Sequence, residues 1–401
     1  MNIESSLEKI SQTLQNWIQQ NVSLAATVAD FFQSNAQKQD RLLLTVAAGA
    51  SVLLLYIASV RHLRYKSINE IRKKYPNPQD VLDNIDIARQ VNAITMRKEF
   101  PFLGREGAEL ALFKTFTIPT ISKLLAATGE FKNHCTRRAE DTELILLELT
   151  ETYSRIQKQL AKDPNTPEEH VKAQWQRPDM AAARLNEIHG KYSTILNDDY
   201  IYTLALLIYE PALWINRYEW RQLDEREINA IFRVWYEVGV AMQIKDIPDT
   251  PEKMLTFKNR YADEHIKYAP SNWKCGEPTF RHLLSSIPSF LREPLYKFGL
   301  HLLPSILDPA DAIAFQLPQE SKVLTLIFKS IMHARALFIR HLMLPRSTFT
   351  SRTPFYPNSK GKYVPEIFYY KPRIYEDGYS ISELGPEKFK NDTSSKCPMM
   401  H

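Results

Sequence analysis

An uncharged stretch at residues 42–60 places the strongest constraint on how this chain can fold. It reads LLLTVAAGASVLLLYIASV and is bordered by Asp40 and Arg41 on one side and Arg61 on the other. As a helix it would be roughly 28 Å long, about the thickness of a bilayer's hydrocarbon core. A buried core helix is the alternative, but the charged borders and the lack of an amphipathic stripe favour a transmembrane helix.

Basic residues around this stretch predict its orientation. They are Lys38 and Arg41 before it, and Arg61, Arg64, Lys66, Arg72, Lys73 and Lys74 after it. Because Lys and Arg are enriched on the cytosolic side, the C-terminal part is expected in the cytosol and residues 1–41 form a lumenal tail. The sequon at Asn21 would then be lumenal, which predicts a glycoprotein. A short amphipathic stripe in this tail is expected along the bilayer surface: Leu7, Ile10, Leu14, Trp17 and Ile18.

Beyond the membrane stretch, the sequence predicts an all-α protein. Only 11 glycines occur in 401 residues, and apolar residues recur every three or four positions over most of the chain. Residues 61–99 are expected as a basic juxtamembrane linker and 100–345 as a globular helical domain. Residues 346–401 are rich in Pro and Tyr and are expected as a tail, either extended around the domain or disordered.

Several function classes are excluded at this level. The net charge of +5 is small for the length and is spread along the chain, so nucleic acid is not an expected partner. Cys135, Cys275 and Cys397 are far apart, which argues against a disulfide framework or a zinc finger. No glycine-rich phosphate loop, GxSxG or HExxH sequence is present.

Arg138 and Thr142 continue an apolar helical stripe into polar residues. Leu146, Leu149, Tyr153, Ile156 and Leu160 are spaced as one helix face, and steps of four backwards reach Thr142 and Arg138. A guanidinium there needs compensation, because burying an unpaired charge is costly. Two interpretations stay open: Arg138 pairs with a buried carboxylate or lies at the core edge, or it faces a pocket.

His189 is the second residue of interest. In RLNEIHGKY it lies at the edge of an apolar face, one helical turn from Leu185 and Tyr192. A lone histidine in this setting is more often a hydrogen-bonded core residue than a metal ligand. No other His or Cys stands three or four positions away, so a zinc or di-iron site built on histidines is poorly supported.

The acids that follow, Asp198 and Asp199, could be a magnesium site for prenyl diphosphates or the start of a helix. Magnesium chemistry of that kind needs carboxylates one helical turn apart, but Ile201 and Tyr202 occupy those positions. We therefore expect Asn197, Asp198 or Asp199 to cap the helix that begins here.

Taken together, several segments resemble the MPAB/Lcp family, the rubber-oxygenase catalytic domain, and within it the fungal ER-bound oxygenases. They occur in order between about residues 100 and 345: RAEDT, RLNEIH, NDDYIYT, YEWR, WYEVG and IKDIPDTPE. The resemblance implies an all-α fold and an oxygenase that cleaves or oxidises a prenyl or terpenoid side chain in secondary metabolism. It also implies haem b as the cofactor, because bacterial members of the family hold one.

By the same resemblance, His189 is the expected iron ligand, and Arg138 and Thr142 line the haem pocket. Asp141, a candidate catalytic residue together with Arg138 and Thr142, replaces a lysine of the family pattern and reverses the charge beside the site. A haem oxygenase on the cytosolic side of the endoplasmic reticulum, anchored by residues 42–60, is the main hypothesis. A haem-free terpenoid enzyme and a non-catalytic membrane scaffold are the alternatives.

Overall fold

Helices dominate the computed structural model, which describes residues 3–33 and 38–390. The model is 73% helical, and within those residues it contains no strand, only an isolated pairing of Tyr363 with Tyr379. The all-α prediction is therefore confirmed. The chain divides into two units, residues 1–66 with 337–345 and residues 67–336 with 346–401, which are described separately.

The first unit contains the predicted membrane helix. Helix α1 is Ile3–Gln33 and helix α2 is Lys38–Lys74. Among the described residues, Leu43–Lys74 is the one unbroken helix long and apolar enough to cross a membrane, and its apolar part is almost entirely exposed. In α1, Leu14, Trp17 and Ile18 of the predicted amphipathic stripe are exposed, whereas the side chains of Leu7 and Ile10 lie outside the described residues.

The second unit begins with the end of α2. Its first half contains α3 (Gln79–Asp83), α4 (Ile85–Ile94), a π-helix (Thr95–Glu99), α5 (Pro101–Lys114), a 3-10 turn (Thr115–Thr117), α6 (Pro119–Ala127), α7 (Glu130–Thr150), α8 (Thr152–Lys162) and α9 (Glu168–Gln174). Its second half contains α10 (Arg177–Gly190), α11 (Asn197–Tyr218), α12 (Glu225–Ala241), α13 (Pro251–His265), α14 (Pro270–Leu283), α15 (Ser289–Leu302), α16 (Pro309–Ala314) and α17 (Lys322–Leu342). Short 3-10 turns occur at Leu303–Ser305, Ile381–Glu383 and Glu387–Phe389.

Helix α11 forms the centre of the core. Its apolar residues point in nearly every direction and most are fully buried, as expected for a helix surrounded by others. Helix α5 packs closely along it at Gly107, where a Cβ atom would lie 2.5 Å from the Cα atom of Pro211. Only glycine allows this approach.

The region expected as a linker, residues 61–99, is helical and packed. Helix α2 continues to Lys74, and α3 and α4 lie against α12. Asn84 caps α4 by accepting hydrogen bonds from the backbone N–H groups of Asp86 and Ile87. Only the short segment around Pro76 and Pro78 is a linker, and helical structure resumes at Gln79, where helical spacing begins and before the predicted domain boundary at residue 100.

The described part of the C-terminal tail, residues 346–390, is mostly non-helical and follows the surface of the second unit. Its buried polar contacts hold it in place: Arg352 bonds Glu140, and Glu151 accepts from the backbone N–H groups of Arg352 and Thr353. Of the two forms expected for the tail, these residues adopt the extended, wrapped one.

Candidate active site

Helix α7 is the element that positions the polar residues of the candidate site. It packs against α10 on one side and α14 on another. The single stripe expected from Leu146 to Leu160 is divided between two helices, because α7 ends at Thr150 and α8 starts at Thr152. Arg138 and Thr142 remain one turn apart, and the Arg138 Nη1 atom donates to the Thr142 Oγ1 atom at 2.7 Å.

The Arg138 guanidinium has no carboxylate partner among the described residues. Its hydrogen bond goes to a neutral hydroxyl, and Asp141 and Glu130 act on its charge only from beyond salt-bridge distance. Burial lowers its pKa, because the charged form loses hydration that no ion pair replaces. Of the two interpretations of Arg138, the one in which it pairs with a buried carboxylate is therefore not supported.

His189 lies in the last turn of α10, with its imidazole turned towards α7 and α11. Its Nδ1 atom is buried without a hydrogen-bond partner among the described residues, and its ring centre is 5.3 Å from that of Tyr200. Burial, together with the positive charge of Arg138, lowers the pKa of His189 to about 4. The side chain is therefore neutral at pH 7.

The structure thus brings Arg138, Thr142 and His189 to one region between α7, α10 and α11. Tyr192 and Tyr200 also lie in this region. The electrostatic effect of Tyr192 raises the pKa of Arg138, and burial raises the pKa of Tyr200 to about 12. The sequence reasoning did not assign Tyr200 to the site. Its place in the NDDYIYT segment was the only available signal.

Asp141 makes its hydrogen bonds with the tail, although its charge still acts on Arg138. It is buried and accepts hydrogen bonds from the Tyr375 hydroxyl and the backbone N–H group of Gly385, both in the tail. Burial raises its pKa, and Arg137 approaches it to 3.9 Å. In this arrangement the reversed charge anchors the tail on α7 and shares no contact with His189.

The prediction of a side-chain cap at Asn197, Asp198 or Asp199 is wrong. Leu196 is the N-cap residue of α11 and makes no side-chain cap bond. Asn197 instead pairs with the backbone of Lys245, and buried Asp199 accepts from the Thr120 and Tyr261 hydroxyls, both at 2.8 Å. Asp198 and Asp199 lie in the first turn, where the helix dipole favours negative charge.

Within residues 3–33 and 38–390, no group of three or more His, Cys, Asp or Glu side chains could hold a metal ion. The magnesium interpretation of the acids therefore gains no support there. Cys135 and Cys275 are free thiols, and Cys397 lies outside the described residues.

Curated proteins similar to this chain share one description. "ER-bound oxygenase mpaB'" of Penicillium brevicompactum is 26% identical over 393 aligned positions, which cover 84% of this chain and 87% of that protein. "ER-bound oxygenase mpaB" of Penicillium roqueforti is 32% identical, and the protein of the same name from P. brevicompactum is 33% identical. This chain is a homologue of the fungal ER-bound oxygenases. The resemblance seen in its sequence to that branch is confirmed.

The matches differ in extent. Those to the two mpaB proteins cover 48% and 58% of this chain but only 61% and 60% of the relatives, about three fifths of their length. No model of a known protein family matches the chain. The names of its homologues agree with the predicted enzyme class, an oxidoreductase that acts with dioxygen.

Proposed function

We propose that this protein is a membrane-anchored, haem-dependent oxygenase that oxidises or cleaves the prenyl side chain of a terpenoid. One observation supports it most: the half-buried imidazole of His189, whose buried Nδ1 atom has no hydrogen bond, lies beside the half-buried guanidinium of Arg138, which has no carboxylate partner among the described residues. Both arrangements cost free energy as long as no ligand supplies the missing partner. A ligand that carries a metal and an anionic group offsets both costs.

Haem b fits these donors. The neutral imidazole of His189 would hold the iron, and Arg138 would pair with a propionate carboxylate or with negative charge that develops during the reaction. Bound haem would supply the activation of dioxygen. The chain's own residues would bind and orient the haem and exclude water from the site.

Thr142 has a positioning part in this proposal. Its hydroxyl accepts from Arg138 Nη1 and donates to the Arg138 carbonyl oxygen, both at 2.7 Å. The guanidinium is therefore held in one orientation, and its remaining N–H groups are available to an anion. Tyr200 covers one side of the imidazole and limits the access of water to it.

A haem-free enzyme is the second candidate. A histidine that binds haem iron normally donates its other N–H group to a carbonyl or carboxylate, and His189 has no such partner among the described residues. An imidazole whose pKa is about 4 is a weak base, and Arg138 could bind an anionic substrate directly.

One experiment separates the two candidates. The full-length protein is solubilised in detergent, and its absorption spectrum and iron content are measured. A Soret band with about one iron per chain supports the haem enzyme. Purified, folded protein without either, yet active on a terpenoid, supports the second candidate.

The attachment is proposed as a single pass through the endoplasmic reticulum membrane, with a lumenal N-terminus and a cytosolic C-terminal domain. The homologues are named ER-bound, and α2 provides one candidate span. Protease protection in sealed microsomes tests the orientation: a C-terminal tag should be digested without detergent. A tag that resists until detergent is added contradicts it, and glycosylation at Asn21 would support it.

A further inference from the structure

The outer face of α17 is apolar along most of its length. Its exposed apolar side chains fall at helical spacing and keep between half and two thirds of their surface in solvent: Val323, Leu326, Ile327, Ile331, Leu337 and Phe338. We call these six residues the α17 stripe. A soluble domain rarely leaves such a stripe uncovered, because exposed apolar patches favour association.

Within the second unit, the opposite face of α17 is packed against neighbouring residues. Phe328 lies edge-on to Trp214 and Tyr218, and Met332 is buried. Arg335 forms a salt bridge with Glu219 at 3.0 Å. Packing therefore already explains the inner residues of the helix, and the stripe needs a separate explanation.

The charges of α17 all have one sign. The helix contains Lys322, Lys329, Arg335 and Arg340 and no Asp or Glu. Among the described residues it does not qualify as a membrane span. An apolar stripe combined with basic residues is typical of helices that lie in the plane of a bilayer surface, where anionic lipid headgroups attract the charges.

Within the first unit, the end of α17 is joined to the membrane helix. The Tyr56 hydroxyl donates to the Leu342 carbonyl oxygen at 2.9 Å. Arg64 donates through Nε to the Met343 carbonyl at 2.7 Å and through Nη2 to the Leu344 carbonyl at 3.1 Å. Tyr56 belongs to the apolar stretch and Arg64 to its basic border, so α17 ends where the span leaves the hydrocarbon core.

We propose that the α17 stripe is a membrane-binding surface that lies in the headgroup and upper acyl region of the bilayer into which α2 inserts. The occupant is lipid, because the same helix is hydrogen-bonded to the span at its C-terminal end and carries only positive charge. The inference rests on the proposed membrane attachment but not on haem or on the reaction. It would hold the domain close to a store of apolar substrate.

Photocrosslinking in the full-length protein tests this surface. p-Benzoylphenylalanine replaces Leu326 or Ile331 in protein reconstituted into vesicles of phosphatidylcholine and phosphatidylserine, and adducts are identified by mass spectrometry. At both positions we expect lipid adducts several-fold above those at Leu255, an exposed apolar residue of α13 that serves as the matched control.

Adducts at Leu326 and Ile331 no more abundant than at Leu255 would overturn the proposal, as would crosslinks to a second copy of the chain in place of lipid. Two stripe positions guard against one replacement that fails to fold. The same measurement on His189→Ala separates this inference from the proposed function: its lipid adducts should be unchanged even where haem is lost.

Discussion

Two sides of helix α7 contain the same kinds of residue and differ in how their charges are compensated. Each side has a histidine whose pKa is lowered to about 4, mainly by burial, together with an arginine; the residues are half-buried on one side (His189, Arg138) and buried on the other (His282, Arg352). The His189 side comprises His189, Arg138, Thr142 and Tyr200. The His282 side comprises His282, Arg105, Glu143, Arg352 and Tyr370.

On the His282 side every buried cation has a carboxylate. Arg105 pairs with Glu143 at 3.1 Å and also with Glu109, and Arg352 pairs with Glu143 at 2.7 Å. The His282 ring lies against that of Tyr370, with ring centres 4.2 Å apart and the ring planes tilted by 53°. These charges are satisfied by the chain itself, largely through the tail.

On the His189 side the guanidinium has only a hydroxyl partner. The comparison shows that a buried Arg next to a buried His does not by itself mark a functional site. In the proposed function, missing charge compensation distinguishes the His189 side, because a ligand can then supply the free energy that the chain does not.

The largest expected effect concerns the two histidines. His189→Ala should lose the Soret band and oxygen-dependent turnover, because it removes the proposed iron ligand, whereas His282→Ala should keep both. Haem content per folded chain and turnover in membranes are the measurements. Full haem occupancy and activity in His189→Ala would remove the distinction between the two sides.

A large effect on the free energy of unfolding is expected on the His282 side. Arg352→Met leaves Glu140 and Glu143 buried with less compensation and should lower the free energy of unfolding by about 3–5 kcal/mol. Arg138→Met, the matched control, removes a charge without an ion-pair partner and should change stability far less. Denaturant unfolding of the two ligand-free proteins measures both, and equal losses would contradict the comparison.

Arg138→Lys should reduce turnover roughly tenfold to a hundredfold while the free energy of unfolding changes by at most about 0.5 kcal/mol. An ammonium cannot reproduce the planar set of donors that Thr142 orients. Steady-state kinetics and thermal unfolding of the same preparation provide the comparison. Parallel losses of activity and stability would indicate a structural role instead.

A moderate effect concerns pH. The pKa of His282 is about 4 in the folded chain and about 6.5 when unfolded, so the unfolded state binds more protons between these values. This contribution to stability is complete above pH 6.5 and is lost as pH falls towards 4. His282→Phe should therefore remove about 1–3 kcal/mol of the stability change between pH 7 and pH 4. Unfolding curves of both proteins test this, and parallel pH profiles would contradict it.

The smallest effects concern the acids of α11. Asp199→Asn weakens two buried hydrogen bonds and should cost about 1–2 kcal/mol, whereas Asp198→Asn at an exposed first-turn position should cost about 0.5 kcal/mol or less. Thermal unfolding measures both, and neither should alter haem content. Activity that needs magnesium and Asp198 would instead restore the diphosphate interpretation.

Much of the architecture could be predicted because it depends on local patterns. Residues 42–60 are apolar and uncharged whatever surrounds them, and α2 contains them. Helical spacing likewise predicted that Arg138 and Thr142 lie one turn apart on the same helix face, and in the structure a hydrogen bond joins them. Helical spacing also predicts helices from about Gln79, as the structure has them, whereas the boundary of the globular domain was placed too late, at residue 100.

By itself, the sequence determined the helical class, an apolar helix long enough to span a membrane, and the place of Arg138 and Thr142 on one helix face, because spacing along a helix sets which residues share a face. His189 became a candidate only through the resemblance to the family. Only the tertiary structure decided which of the nearby charges are compensated. Asp141 meets Tyr375, and Arg352 meets Glu140, across more than 200 residues of chain. Such pairings depend on how distant segments pack, and the free energy of a buried charge depends on that packing.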